Sequence, residues 1–304
     1  MESLLFTGGT GYLGHNTKPI LEKTYEVTTI GITEKDDLKA NFVTDIPMLP
    51  KRYDVVLHAA GKAHTYPKTE AEKQAFFDVN YKGTVNLCNA LEKVGVPKSF
   101  IFISTMAVYG SDGSTVVTEE HPLNGDTPYA KSKIMAEQYL IEWCEKNNVI
   151  LGILRPSLMT GPNPPGNLGS MIKGIKKHHY LSVGGGKARK SFLMVYDIAR
   201  VVPSLAEKGG IYNICDDESV TYRQLEELIC KQLWGGGEKQ HPIQIPMWLA
   251  KCMAKVGDCL GKKAPINSLK LTKLTRTSVY SNAKIKAALN WEPLDILENF
   301  KISE

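Results

Sequence analysis

Residues 4 to 14, Leu-Leu-Phe-Thr-Gly-Gly-Thr-Gly-Tyr-Leu-Gly, decide how the rest of the chain is read. A short apolar run, Leu4 to Phe6, meets three glycines at intervals of three, Gly8, Gly11 and Gly14, and His15 to Lys23 can continue as a helix. Strand, tight turn and helix in that order ask something different of each glycine. The first permits the sharp turn, the second lets a pyrophosphate approach the backbone, and the third lets helix pack closely on strand. An anion would sit at the helix N-terminus, where unpaired N–H groups and the positive end of the dipole favour it without any basic side chain. With a strand before and a helix after, the stretch predicts dinucleotide binding rather than a plain structural turn.

At 304 residues the chain can bury a large core, and it suits one large α/β domain with a smaller second lobe better than two equal domains. Hydrophobic residues make up 42% and charged ones 23%, as in ordinary soluble globular proteins. Net charge is +5, from 37 basic and 32 acidic residues; the basic ones are scattered, so nucleic acid is not implied as a partner. Six cysteines, Cys88, Cys144, Cys215, Cys230, Cys252 and Cys259, show neither C-x-x-C nor metal-ligand spacing. They are expected as reduced core residues, with no metal site. The first strand starts almost at Met1 and no apolar run approaches about 18 residues, so the expectation is a cytoplasmic protein without signal peptide or membrane span.

Val27 to Ile32 reads as a second strand, whose end is where a dinucleotide fold meets the adenosine ribose. A carboxylate there favours NAD, and an arginine favours a 2′-phosphate. Gly31-Ile32-Thr33-Glu34-Lys35 does neither cleanly, which leaves both NAD and NADP open. Phe42 and Val43 followed by Asp45-Ile46 read as a third short strand; Asp45 either accepts from an adenine amino group or caps the next turn. Asp54 to Ala60 is a near-continuous apolar run of the kind buried in parallel sheets, and Ala59, Ala60 and Gly61 would let a flat ligand lie against the backbone.

Glu70 to Val94 reads as one long helix with Phe76, Gly83, Leu87, Leu91 and Val94 on its apolar stripe and Asn80 among them. A buried amide needs partners, so Asn80 is a structural tie or part of a polar relay, and spacing favours the tie. Ser99 to Ser104 is the next strand, delivering Ser104 and Thr105 to the edge where open α/β sheets bind ligands. Thr127 to about Lys146 is a helix with Pro128 in its first turn. Tyr129 and Lys133 share one face of it, so the ammonium can lie near the phenol and lower a pKa that is ordinarily about 10. Val149 to Leu154 is a further parallel strand, closed by Arg155-Pro156.

Strands alternating with helices to this point predict a doubly wound parallel sheet. Thr160 to Gly169 reads as a loop, Asp197 begins a helix, Ile211 to Cys215 is a short strand and Thr221 to Leu233 a helix, before a flexible break at Gly235-Gly236-Gly237. Pro246 to Leu260 is amphipathic, with Trp248, Cys252, Val256 and Cys259-Leu260 on one side. That stripe is expected to pack within the lobe rather than touch a membrane surface.

Taken together, Thr105, Tyr129 and Lys133 behind Gly8-x-x-Gly11-x-x-Gly14 resemble the extended short-chain dehydrogenase/reductase family of nucleotide-sugar epimerases, dehydratases and reductases. Further landmarks are Leu57-His58-Ala59-Ala60, Asn80-x-x-Gly83-Thr84, Leu154-Arg155-Pro156, Phe192 to Ala199 and Leu289-Asn290-Trp291-x-Pro293. The resemblance implies a Rossmann-like α/β fold, with a dinucleotide-binding domain over 1–165, segments at about 190–216 returning to it, and 166–304 mainly a substrate lobe. It implies Tyr129 as the acid/base, Lys133 lowering its pKa and holding the nicotinamide ribose, Thr105 bonded to the reacting oxygen, and Asn80 in a supporting relay. Tyr109 belongs to a strand-end signature and not to the proton relay. Cofactor contacts are implied for Gly8, Thr10, Gly11, Tyr12, Leu13, Gly14, Asp45, Ile46, Ala59, Ala60, Gly61, Ser104, Arg155 and Pro156 besides Tyr129 and Lys133. Substrate contacts are implied for Thr105, Asn167, Leu168, Arg189, Lys190 and Arg276, and the two long helices are implied as a homodimer interface.

Two departures narrow the chemistry. In the family's 4,6-dehydratases an Asp-Glu pair follows the catalytic Thr, whereas here Met106-Ala107 offers no titratable group, which disfavours dehydration and leaves redox at C4. At Lys190 family members often carry an Arg for the diphosphate; a lysine is a point charge without a bidentate fork, and Arg189 beside it is a substitute. The expected function is a nucleotide-sugar C4 epimerase for a UDP-hexose or UDP-N-acetylhexosamine, working through a 4-keto sugar with bound NAD. A nucleotide-sugar 4-ketoreductase using NAD(P)H would use the same residues. A non-catalytic dinucleotide-sensing protein would be expected to have lost Tyr129 or Lys133, and both are present.

Overall fold

The computed structural model describes residues 1–63, 65, 67–110, 115–235, 242–260 and 266–302, leaving aside the side chains of Leu260, Leu269 and Lys273. Of the expected break at 235–237, Gly235 ends a helix and the next two glycines lie outside the described residues.

Seven parallel strands form one sheet: β1 (Glu2–Thr7), β2 (Tyr25–Gly31), β3 (Leu38–Lys39), β4 (Val55–His58), β5 (Ser99–Ile103), β6 (Ile150–Pro156) and β7 (Gly210–Ile214). Their order is β3-β2-β1-β4-β5-β6-β7, so the chain starts in the middle, winds one way to β3 and then the other way from β4. The reversal between β1 and β4 opens a crevice at the C-terminal ends of the strands, where such sheets bind ligands.

Both faces of the sheet are covered, which explains the unbroken apolar runs. Leu4, Phe6, Val55, Leu57, Ile101 and Ile103 point into one layer, with α1 (Tyr12–Leu21), α6 (Tyr196–Lys208) and α10 (Ala283–Leu289). Leu5, Val56, Phe100 and Phe102 point into the other, against α3 (Gly83–Val94) and α4 (Pro128–Asn147).

The smaller lobe is built from α5 (Gly166–Lys176), α7 (Tyr222–Trp234), α8 (Met247–Leu260), α9 (Ser268–Thr275), α11 (Ile296–Asn299) and three two-stranded pairs. Leu158–Thr160 pairs with Phe192–Met194, Arg189–Lys190 with Val220–Thr221, and Leu181–Val183 with Ile243–Ile245.

Five expectations need correction. The third strand is Leu38–Lys39, not Phe42 to Ile46; Phe42 is buried under the sheet while the chain after it turns. The helix over 70–94 is interrupted: α2 (Glu70–Phe77) runs into a π-helical turn at Asp78–Lys82 before α3, and Asn80 sits inside that turn. The loop expected to Gly169 ends earlier, because α5 begins at Gly166 and takes in Asn167 and Leu168. Cys252 and Cys259 are exposed rather than core residues, unlike the buried Cys88, Cys144, Cys215 and Cys230. On α8 the side that packs is Ala250 and Ala254 against Leu271, while Trp248 and Val256 are 67% and 60% exposed. Small residues permit close helix approach there, so the bulky stripe is the one left outside.

Candidate active site at the sheet edge

The turn after β1 is held by contacts that glycine alone allows. Gly8 has φ +78°, and a Cβ there would lie 2.8 Å from the Ala60 nitrogen at the end of β4. A Cβ on Gly14 would lie 2.3 Å from the Gly9 carbonyl oxygen, which is the close packing of helix on turn. Gly9, outside the glycine triplet, is equally constrained: its Cβ would meet Thr29 Cγ2 at 2.5 Å. At Gly11 a Cβ would meet just the Gly8 oxygen at 3.3 Å, so that side is open. Gly11 is also the N-cap of α1 without a capping side chain, and no acidic residue stands in the first turn of Tyr12, Leu13 and Gly14. Such an end suits an anion, so these residues fit the pyrophosphate of a dinucleotide. Thr10 is exposed beside Gly11, and both line a groove of about 600 Å³ with His15, Asn163 and Tyr196. The Tyr12 hydroxyl is buried near Gly161 with no hydrogen-bond partner among the described residues.

At the end of β2, Glu34 pairs with Lys39, and Lys35 is exposed. A carboxylate arrives from further along instead. Asp36 Oδ2 accepts from the Thr33 backbone N–H (3.1 Å) and hydroxyl (2.8 Å) and lies against Gly31, where a Cβ would be 2.6 Å away. Asp45 is exposed in the loop after β3, accepting from the Thr44 hydroxyl at 2.7 Å, with Ile46 beside it 40% exposed.

A chain of buried hydrogen bonds ties β1, β4 and α4 together below the crevice. Thr84 donates to the Asn80 carbonyl (2.7 Å) and is 2.9 Å from His58 Nε2, while His58 Nδ1 is 2.6 Å from Thr7 Oγ1, which accepts from Ala60 N–H at 3.0 Å. If each hydroxyl donates once, His58 is neutral with its proton on Nε2. Burial, with the Lys133 charge nearby, holds its pKa down at about 3. The Asn80 amide accepts from Lys62 N–H (2.7 Å) and donates to the Lys62 carbonyl (3.1 Å) and to Ser132 Oγ (2.9 Å), and Ser132 donates to the Tyr129 carbonyl (2.8 Å). Asn80 therefore ties the Gly61–Lys62 backbone to the helix that carries Tyr129, and the π-turn is what aims its amide there.

Tyr129, Thr105 and Lys133 come together at the ends of β5 and α4. Thr127 caps α4, accepting from Ala130 N–H, which fixes the first turn that holds Tyr129. Burial raises the pKa of the Tyr129 phenol, and the nearby Thr105 hydroxyl opposes the rise. The expected lowering by Lys133 is not what the geometry gives. The Lys133 ammonium donates to the Ile103 carbonyl at 2.8 Å, lies 4.4 Å from the Phe102 ring centroid and borders Gly61. Its own pKa is pulled down to about 8 by burial, against the Glu137 charge. Following Thr105, Met106 is buried and Ala107 is exposed, so no carboxylate enters from that turn.

Ser104 and Arg155 have other duties than those implied for a cofactor. Ser104 donates to Glu137, and Arg155 binds the same carboxylate twice, Nε to Oε1 at 3.2 Å and Nη2 to Oε2 at 2.6 Å. Arg155 also donates to the Tyr109 hydroxyl (2.8 Å), which donates to Asn213 Oδ1 (2.7 Å). All of these side chains are buried, so the guanidinium is spent on fixing α4, β6 and β7 rather than turned to a ligand. Tyr109 sits in this network, with burial pushing its pKa up to about 12. Pro156 is buried at the end of β6. No motif pointed to Glu137, Ser132 or Gly9. Glu137 lies four residues after Lys133 on the same helix face, a signal that i,i+4 spacing does contain.

In the lobe, Asn167 is exposed in the first turn of α5, and Leu168 packs inward against that lobe's core. Arg189 is exposed and donates to Ser219 Oγ (2.9 Å) and O (3.1 Å), and the Lys190 ammonium reaches Ser278 Oγ at 3.2 Å. The segment 189–191 exchanges backbone bonds with Ser278, which brings Arg276 alongside; its Nε is buried without a partner among the described residues. A cavity of about 70 Å³ nearby is lined by Tyr180, Gly186, Lys187, Tyr222, Glu226 and Met247, and burial raises the Glu226 pKa.

The family model described as the NAD dependent epimerase/dehydratase family matches residues 4–215. The N-acetyl-α-D-glucosaminyl-diphospho-ditrans,octacis-undecaprenol 4-epimerase of Escherichia coli O157:H7 is 27% identical, over 94% of this chain and 89% of its own length. The UDP-glucose 4-epimerase of Vibrio cholerae is 27% identical over 99% of this chain and 94% of its own. The GDP-6-deoxy-D-mannose reductase of Pseudomonas aeruginosa is 27% identical over 75% and 79%.

Proposed function

Because this chain belongs to the NAD dependent epimerase/dehydratase family, we propose that it is a C4 epimerase of a diphospho-linked sugar, a UDP-hexose or UDP-N-acetylhexosamine first. The observation that carries the reading is the Thr105 hydroxyl beside the Tyr129 phenol at the sheet edge, with Lys133 beside Gly61 and no carboxylate on the turn after Thr105. Tyr129 exchanges the proton of the sugar 4-oxygen, and Thr105 orients that oxygen. Lys133, anchored on the Ile103 carbonyl, holds a positive charge near the crevice. Tyr129 then returns the proton after the 4-keto sugar has presented its other face. A bound nicotinamide dinucleotide supplies the acceptor and donor of hydride at C4. Asp36 at the end of β2 supports NAD over NADP, because a carboxylate accepts from ribose hydroxyls and repels a 2′-phosphate.

The likeness to a lipid-linked sugar epimerase makes a polyprenyl diphosphate a second carrier to try, and the likeness to a reductase keeps the single-hydride reading in view. The test is to incubate the protein with UDP-hexoses in deuterated water and follow C4 by NMR. Inversion with the C4 hydrogen retained, lost about 10³-fold in Tyr129→Phe at unchanged melting temperature, is expected. Reduction of a 4-keto sugar by added NAD(P)H without any inversion overturns the epimerase in favour of the reductase.

A further inference from the structure

We propose that the outward face of α8 is a docking surface for an anionic lipid bilayer, on which the protein sits peripherally. The inference goes beyond the catalytic reading and does not depend on it. Trp248, Cys252, Val256 and Cys259 recur at helical spacing, and all four are exposed, Trp248 to 67% and Val256 to 60%. They are not a core stripe missing its partner, since α8 already buries its opposite side: Ala250 is 0% and Ala254 1% exposed against Leu271. Lys251 and Lys255 flank the stripe on one side, both exposed. Asp258, an acid on the same helix, is turned to Ser268, accepting from its backbone N–H at 3.0 Å and its hydroxyl at 2.5 Å. The face thus presents a tryptophan and aliphatic surface beside two positive charges, the composition of a helix lying in a lipid headgroup layer.

Charge also decides against a second copy as the occupant. A two-fold pairing of α8 on itself would bring the lysines of one copy against those of the other, a repulsion that an anionic surface converts to attraction. The surface is peripheral only, because no helix among the described residues is long and apolar enough to cross a membrane.

The full-length chain is sedimented with vesicles of phosphatidylglycerol and phosphatidylcholine, and with pure phosphatidylcholine vesicles. Binding is expected on the anionic vesicles alone, weakened about 30-fold in Lys251→Gln/Lys255→Gln, since each lysine near an anionic surface is worth about fivefold. Trp248→Gln/Val256→Gln is expected to abolish sedimentation at low salt, which a purely electrostatic contact would not show. All four positions are on the surface, so unchanged melting temperatures show that both variants are folded. The proposal is overturned if the chain ignores both kinds of vesicle, if it binds anionic vesicles equally well in both variants, or if it is a dimer that Trp248→Gln/Val256→Gln dissociates. Epimerase failure with intact vesicle binding would reject the catalytic reading alone.

Discussion

The buried networks at the sheet edge and the exposed arginines of the lobe treat polar groups in opposite ways. Around the crevice, Thr7, His58, Thr84, Asn80 and Ser132 satisfy one another out of contact with water, and Ser104, Glu137, Arg155 and Tyr109 do the same one strand further along. In the lobe, Arg189 is exposed and bonded to a loop residue, and Arg223 pairs with Glu227 in solvent. The difference teaches where geometry is fixed and where it can adapt. Fully satisfied buried networks hold their groups rigidly in place. Exposed groups such as these form bonds that cost little to exchange.

The sharpest way to break the contrast is Arg155→Met. It leaves Glu137 charged, buried and short of its main partner, and the expected loss is about 3–5 kcal/mol of unfolding free energy, read by denaturant titration. A loss below about 1 kcal/mol would mean that the network is not rigid, and the comparison fails.

A second prediction uses pH. His58 has its folded pKa lowered to about 3 from an ordinary 6.5, so between those values the unfolded chain binds the extra proton. Stability from this group is fully present above about 6.5 and is lost as pH falls toward 3, at up to about 1.4 kcal/mol per pH unit. His58→Gln should flatten that part of the stability–pH curve; an unchanged slope would show that His58 is not held neutral.

The smallest effect sharpens the other side. Arg189→Ala is expected to change stability by no more than about 0.5 kcal/mol while raising the KM for a diphospho-sugar, with kcat little altered. A large loss of stability would show that the lobe is built as tightly as the crevice.

Much of this was open to a reading of residues alone. The Gly8, Gly11 and Gly14 spacing, the apolar strand runs and the Tyr129–Lys133 pair are local patterns, and each follows from the geometry of one strand, turn or helix. The third strand was misplaced because a two-residue strand has no periodicity to show, and Phe42 is apolar for burial and not for strand pairing. The α8 stripe misled for a related reason: amphipathicity says that a helix has two faces, but not which one the neighbours take.

The amino-acid sequence by itself determined the alternation of strands and helices, the glycine turn and the identity of the groups at the sheet edge, because those depend on near neighbours in the chain. Only the tertiary structure decided that Lys133 is anchored on Ile103, that Arg155 is spent on Glu137 and Tyr109, that Asp36 closes the end of β2, and that Trp248 faces outward. Those outcomes are set by competition among partners distant in sequence, and by which residues are small enough to let two elements meet.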